Sequence, residues 1–201
     1  MSDGWTDVQV SAGAEADLGA LTDIYNHYVR ETAITFDTEP FSPEQRLPWL
    51  RSHPEDGPHR LLVAHRTAHD TAAQNTAAHD TAAHDVTREG APTGSHTGAR
   101  RLGYATSSPF RPKAAYSTSV EVSVYLAPEA VGRGIGTLLY DRLFGALADE
   151  DVHRVYAGIA LPNDASVRLH ARFGFRHTGT FTEVGRKFGR YWDVAWYEKD
   201  L

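Results

Sequence analysis

The chain contains no cysteine, which excludes disulfides, thiolate nucleophiles and sulfur-ligated metals and leaves a reducing, intracellular setting open to it. It also lacks any run approaching the ~18 consecutive apolar residues that a membrane helix requires, so no membrane association is expected. Its opening, MSDGWTDVQV, carries neither a basic cluster nor an apolar stretch; no export signal is expected there, and a cytoplasmic location is. Charge of one sign is missing too. The 20 basic and 26 acidic residues are interleaved, for a net charge of −6, and no basic footprint for nucleic acid emerges. An anionic ligand would therefore have to be held by local backbone geometry and a few cations.

Between residues 66 and 100 the missing ingredient is a core. This stretch holds no Leu, Ile, Met, Phe, Tyr or Trp and one branched apolar residue, Val86. A loose five-residue repeat, TAAQN, TAAHD, TAAHD, runs from Thr71 to Asp85. Such a segment buries too little to offset the entropy of ordering it. The expectation is one domain over residues 1–201, with a low-complexity insertion at about 66–100 in a strand–strand hairpin. His69, His79 and His84, each beside an aspartate, could ligate a divalent ion. A solvated repeat fits the pattern better, and no metal is expected.

The remainder is patterned. Arg60–His65 (RLLVAH) and Arg101–Thr106 (RLGYAT) are short apolar runs that would pair antiparallel across the insertion. Leu18, Leu21, Ile24, Tyr25 and Tyr28 recur at helical spacing, predicting a helix over 15–30. Ser42-Pro43-Glu44 offers an N-cap followed by proline at the first helical position. Val120, Val122, Val124 and Leu126 alternate with Glu121, Ser123 and Tyr125, a strand with one packing face and one face free for chemistry. A helix follows from Ile135 to near Asp149, then a strand over Val152–Ile159 and a short helix over Asn163–Phe173. Two last strands between Phe175 and Glu198 are joined around Gly185–Gly189. The order of elements predicts a mixed α/β sheet with helices on its faces.

Between that central strand and its helix stands Val131-Gly132-Arg133-Gly134-Ile135-Gly136-Thr137. Glycines at a helix start let the chain approach a ligand closely, and the unpaired N–H groups and dipole there favour phosphate. A nucleotide P-loop is excluded because no lysine follows Gly136, and a dinucleotide fingerprint because Thr137 stands where glycine is needed. Taken alone the segment reads equally as a tight strand-to-helix turn.

Together with other patches it resembles the GNAT superfamily of acetyltransferases, whose R/Q-x-x-G-x-G/A motif Gly134 and Gly136 match. Val131 departs from the motif's Arg or Gln. The stretches YNHY (25–28), TFDTEP (35–40), VEVSVY (120–125), LPNDASVRLH (161–170) and GRKFG (185–189) resemble the phosphinothricin acetyltransferase subgroup. The resemblance implies an acyl-CoA N-acyltransferase fold, with a twisted, mostly antiparallel mixed sheet flanked by helices. It also implies acetyl-CoA as cosubstrate, a small amine or amino-acid acceptor and a homodimer.

The resemblance implies site residues as well. Glu121 becomes the base that accepts the amine proton; its other reading is an exposed carboxylate on a strand face. His170 takes the place where many members use a tyrosine to protonate the departing thiolate, and alternatively only orients ligands. Asn163 lies two helical turns before His170 and is a natural N-cap; the resemblance adds a coenzyme contact for it and for Ser166. Val124, Tyr125, Leu126, Gly132, Arg133, Gly134, Ile135, Gly136 and Thr137 complete the coenzyme set. Phe36, Arg111, Tyr116 and Lys187 fall where related enzymes contact the acceptor, Arg and Lys suiting a carboxylate or phosphinate. Other amines as acceptors, or a silent acyl-CoA-binding module, are the competing functions. A serine hydrolase lacks its G-x-S-x-G elbow.

Overall fold

The computed structural model describes residues 7–66 and 99–201. The histidine-bearing repeat, and with it the expected insertion and its metal alternative, lies outside the described residues. The elements in chain order are β1 (Val8–Ala12), α1 (Leu18–Glu31), α2 (Pro43–Arg51), β2 (Leu61–Arg66), β3 (Arg100–Pro109), β4 (Ser119–Leu126), α3 (Ile135–Leu147), β5 (Arg154–Ala160), α4 (Asp164–Arg172), β6 (Arg176–Lys187) and β7 (Arg190–Asp200). This is the predicted order.

Among the described residues the seven strands form one sheet in the order β1-β2-β3-β4-β5-β7-β6. Every neighbouring pair is antiparallel except β4 with β5. RLLVAH and RLGYAT pair antiparallel as expected, from Leu61↔Thr106 to Arg66↔Arg100. On β4 the residues Glu121, Ser123 and Tyr125 share a face with Ser108, Thr106 and Tyr104 of β3. Helices α1 and α2 cover that face, through Tyr25 against Tyr125 and Trp49 against Tyr104. Helix α3 packs on the opposite face, where Leu139, Leu143 and Leu147 are fully buried in one cluster with Leu102, Val120, Val122 and Val155. Each such side chain contributes about 1.5–3 kcal/mol relative to exposure, so the central strands are anchored from both sides.

Local chemistry explains the element ends. Ser42 caps α2: its hydroxyl accepts from Gln45 N at 3.4 Å, and Gln45 Oε1 accepts from Ser42 N at 2.7 Å, a reciprocal capping box. The β6–β7 connection falls within the expected Gly185–Gly189 stretch. The turn is the two residues Phe188-Gly189, both at positive φ (53° and 75°), as a tight hairpin requires. Gly185 lies inside β6, where the ring of Phe36 occupies the place a Cβ would take. No helix among the described residues is long and apolar enough to cross a membrane.

Candidate functional site

The functional geometry begins with a failure of pairing. β4 and β5 run parallel and pair at Ser119↔Arg154, Val120↔Val155 and Glu121↔Tyr156, and no further. Beyond Glu121, β4 keeps its ladder to β3 as far as Gly103↔Leu126, while β5 keeps its ladder to β7 as far as Ala160↔Val194. The two strands diverge, and a cleft of about 460 Å³ opens between them. The predicted alternation stops at this point. Val120 and Val122 are buried in the core, with Val122 also touching the cleft, whereas Val124 and Leu126 are only half-buried and line it together with Ser123 and Tyr125. Main-chain groups of β4 that would have bonded to β5 are left to face it.

One end of the cleft is the glycine turn. Gly132 and Gly134 adopt φ of 76° and 81°, the left-handed region that side-chain-bearing residues avoid, and a Cβ at either would meet nothing within 4 Å. Conformation, and not crowding by the protein, is what requires glycine there. Gly136 differs: its Cβ would come within 3.3 Å of Leu169, so its absence lets α3 and α4 pack closely. Helix α3 starts after Gly134 without a side-chain cap. Its first N–H groups therefore lack a side-chain cap at this end of the cleft, with the positive end of the helix dipole behind them. Gly132, Gly134, Gly136 and Thr137 line the cleft. The side chain of Ile135 turns into the core, and that of Arg133 is not among the lining groups. Val131, 51% exposed, stands on the rim where the motif has Arg or Gln.

The other wall is α4. Asn163 caps it, its Oδ1 accepting from Ser166 N at 3.1 Å, and both residues line the cleft. His170 is buried at 3% exposure, and both ring nitrogens are engaged. Nδ1 lies 2.8 Å from the carbonyl of Ser166, an acceptor only, so Nδ1 carries the proton. Nε2 then accepts from the Tyr140 hydroxyl at 3.0 Å. Burial lowers the pKa of this imidazole, so the neutral form is favoured. Tyr140 gave no signal in the sequence, because a tyrosine at core spacing reads as packing; it lines the cleft from α3 and is itself fully buried.

Glu121 occupies the last paired position of β4, at the mouth of the divergence. It has no hydrogen bond or ion pair among the described residues. Burial raises its carboxyl pKa above the usual carboxylate range, and Arg111 nearby opposes that shift. A carboxylate held this way can accept a proton from a ligand.

A model of the Acetyltransferase (GNAT) family matches residues 21–175. The chain belongs to the GNAT acetyltransferase family. It is 62% identical over 198 residues to the phosphinothricin N-acetyltransferase of Streptomyces coelicolor, covering 98% of this chain and 99% of the relative. It is 30% identical to the L-methionine sulfoximine/L-methionine sulfone acetyltransferase of Salmonella typhimurium, covering 93% and 91%. Among solved structures it is similar to a GNAT superfamily phosphinothricin acetyltransferase from Sinorhizobium meliloti in complex with acetyl-CoA. That match has a TM-score of 0.76 and 27% identity, and covers 98% of this chain and 89% of that one.

The four expected acceptor residues of this GNAT chain fall into two clusters. Arg111 and Tyr116 sit in the β3–β4 connection around Phe110, the guanidinium 4.5 Å from its ring centroid and the Tyr116 ring 6.0 Å away. Both are exposed. Phe36 and Lys187 lie where the α1–α2 loop touches the β6–β7 hairpin, the Phe36 ring against Gly185. There Lys187 is 4% exposed and its Nζ donates to the Thr35 carbonyl at 2.8 Å. Burial lowers the pKa of Lys187, against the pull of Asp37. Tyr25 ties the loop together, with its hydroxyl 2.7 Å from Thr35 Oγ1 and donating to Asp37. Tyr28 donates to the Leu126 carbonyl at 2.7 Å and so fixes the open end of β4. Tyr25 and Tyr28 belong both to the helical periodicity and to the YNHY patch, and neither spacing nor residue type assigns them a contact in the site.

Proposed function

We propose that this protein transfers the acetyl group of acetyl-CoA directly to the amino group of a small amino-acid-like acceptor such as phosphinothricin or methionine sulfone or sulfoximine. The observation that carries the reading is the divergence of β4 from β5 over a glycine turn that leads into an uncapped helix. That arrangement suits a pantetheine arm along the free edge of β4 and a pyrophosphate on the amides of Gly134–Thr137. Val124, Tyr125, Leu126, Asn163 and Ser166 complete the donor contacts. Gly132 and Arg133 shape the turn, with Ile135 holding α3 in the core.

In this reading Glu121 takes a proton from the acceptor ammonium, directly or through a water. The neutral nitrogen attacks the thioester carbon, the C–N bond forms, and a main-chain N–H of Val124–Leu126 receives the charge gathering on oxygen. The C–S bond then breaks, and the acetylated nitrogen loses its remaining extra proton to solvent. A thiol titrates near about 8.5, so the thiolate leaves without an obligatory acid. His170 has no free nitrogen to supply one; it positions α4 against α3 through Ser166 and Tyr140.

One acetyltransferase domain spans residues 1–201, with the 66–100 segment as an insertion in the β2–β3 hairpin. It acts in the cytoplasm, where acyl-CoA donors are available, and as a homodimer. The dimer is supported by Phe181, Val184, Phe188 and Tyr191, all 55–58% exposed on the β6–β7 hairpin. Such grouped apolar exposure suits an interface.

Calorimetry with acetyl-CoA, followed by thiol release over a panel of amines, tests the reading. Binding with turnover on acid-bearing amino acids is expected. Tight binding with no turnover on any amine would make the protein a silent module, and turnover confined to polyamines or peptides would move the acceptor class.

A further inference from the structure

A second concavity, about 260 Å³, lies on the α1–α2 side of β4. It shares Ser123 and Tyr125 with the donor cleft, so only β4 separates the two spaces. Ser108, the ladder partner of Glu121, also lines it. A ligand placed there lies against Ser108, the strand neighbour of the proposed base, and across Ser123 and Tyr125 from the thioester path.

The unusual group on its wall is Arg46. This side chain is 6% exposed, yet it forms no ion pair among the described residues. The guanidinium is 3.8 Å from the Trp49 ring centroid and 4.4 Å from that of Tyr25. NH1 donates to the Leu21 carbonyl at 3.1 Å, and NH2 donates to the Tyr104 hydroxyl at 3.4 Å. A guanidinium has five N–H donors, and two are spent. Burying a cation without its counter-ion is costly, and such residues are rare unless paired. The aromatic faces hold the fork in place, and Asp37 on the same wall is held by the Tyr25 hydroxyl.

We propose that this pocket seats the acid-bearing end of the acceptor, with Arg46 as the anchor for its carboxylate or phosphinate. The inference rests on the acetyl-transfer reading above and deepens it, because it makes an acidic group on the acceptor the determinant of specificity. A buried, preorganised fork discriminates more strongly than the exposed, solvent-screened Arg111. A polyamine offers Arg46 no oxygen to accept its free N–H groups and forgoes that contact.

The test is a cycle between protein and acceptor. Turnover of an amino-acid acceptor is compared with that of its carboxamide, in the parent enzyme and in Arg46→Met, with acetyl-CoA saturating. In the parent, loss of the carboxylate should lower kcat/KM about 50-fold, the size of a charge-assisted contact; in Arg46→Met the same loss should cost under about threefold. The KM for acetyl-CoA should not move in either. A folded Arg46→Met that keeps the full preference for the carboxylate overturns the proposal. If Arg46→Met does not fold, Thr106→Leu decides by filling the pocket from β3: a raised acceptor KM supports it, and an unchanged one overturns it. A parent enzyme that acetylates acid and amide alike sinks the anchor and leaves acetyl transfer standing. One that turns over no amine at all sinks both.

Discussion

The two spaces on either side of β4 are built on opposite principles. The donor cleft is made of what has been removed: strand pairing beyond Glu121, side chains at Gly132 and Gly134, and a cap on α3. The pocket across the strand is crowded with what has been added, a guanidinium between two aromatic rings and an aspartate bound to a tyrosine. A diphosphate and a pantetheine chain are common to every reaction with this donor, and main-chain N–H groups recognise them with little demand on side chains. An acceptor has to be told from its competitors, and that needs fixed charges in a desolvated place.

This contrast can be tested first at Glu121, two residues before Ser123, which lines both spaces. Glu121→Gln should lower kcat about 100-fold to 1,000-fold, with the calorimetric affinity for acetyl-CoA unchanged. The parent should lose kcat/KM as pH falls through the Glu121 pKa, which burial has raised above the ordinary carboxylate value; the variant should lack that limb. Equal activity across pH would remove the proton-accepting role from Glu121. On the donor side, Gly134→Ala forces a Cβ into φ 81°, at a cost of about 1–2 kcal/mol. Where the free turn relaxes out of that conformation, binding has to restore it, and the acetyl-CoA dissociation constant should rise by up to about 30-fold while kcat at saturation is kept. An acceptor KM that rises equally would show that the two spaces are not independent.

Tyr140→Phe asks whether the α3–α4 contact is chemical or architectural. It leaves His170 Nε2 buried without a donor, so denaturant titration should show a loss of about 1–3 kcal/mol, with kcat within about threefold of the parent. A tenfold or larger fall in kcat without loss of stability would restore a proton-transfer role to the pair. The smallest effect expected is on pH-dependent stability. His170 and His53 both have pKa values lowered by burial, so the folded state binds fewer protons than the unfolded one below about 6.5. Stability should be complete above that pH and decline as pH falls toward the folded pKa values. In His170→Gln the decline should be shallower, as followed by melting temperature.

Much of the fold was legible because its signals are local. Leu18, Leu21 and Ile24 face one core, and their spacing says helix before any partner is known. Ser42 and Asn163 cap α2 and α4 through their own neighbours three residues on. The glycine turn was legible for the same reason, although Gly136 serves helix packing and Ile135 the core. Less legible were residues whose meaning depends on distant partners. Tyr140 and Arg46 look like packing and surface charge, until α4 and β3 bring His170 and Tyr104 to them. The equal treatment of Phe36, Arg111, Tyr116 and Lys187 also dissolves, since Arg111 and Tyr116 are exposed, Phe36 is half-buried and Lys187 is buried with its ammonium on the Thr35 carbonyl.

By itself the sequence determined the order of strands and helices, the phosphate-suited bend before α3 and the carboxylate on the central strand, because periodicity, caps and backbone conformation act over a few residues. Tertiary structure alone decided where β4 parts from β5, that His170 has no free nitrogen and that a cation lies buried beside the proposed acceptor path. Those outcomes depend on which distant groups compete for the same hydrogen bonds and the same space.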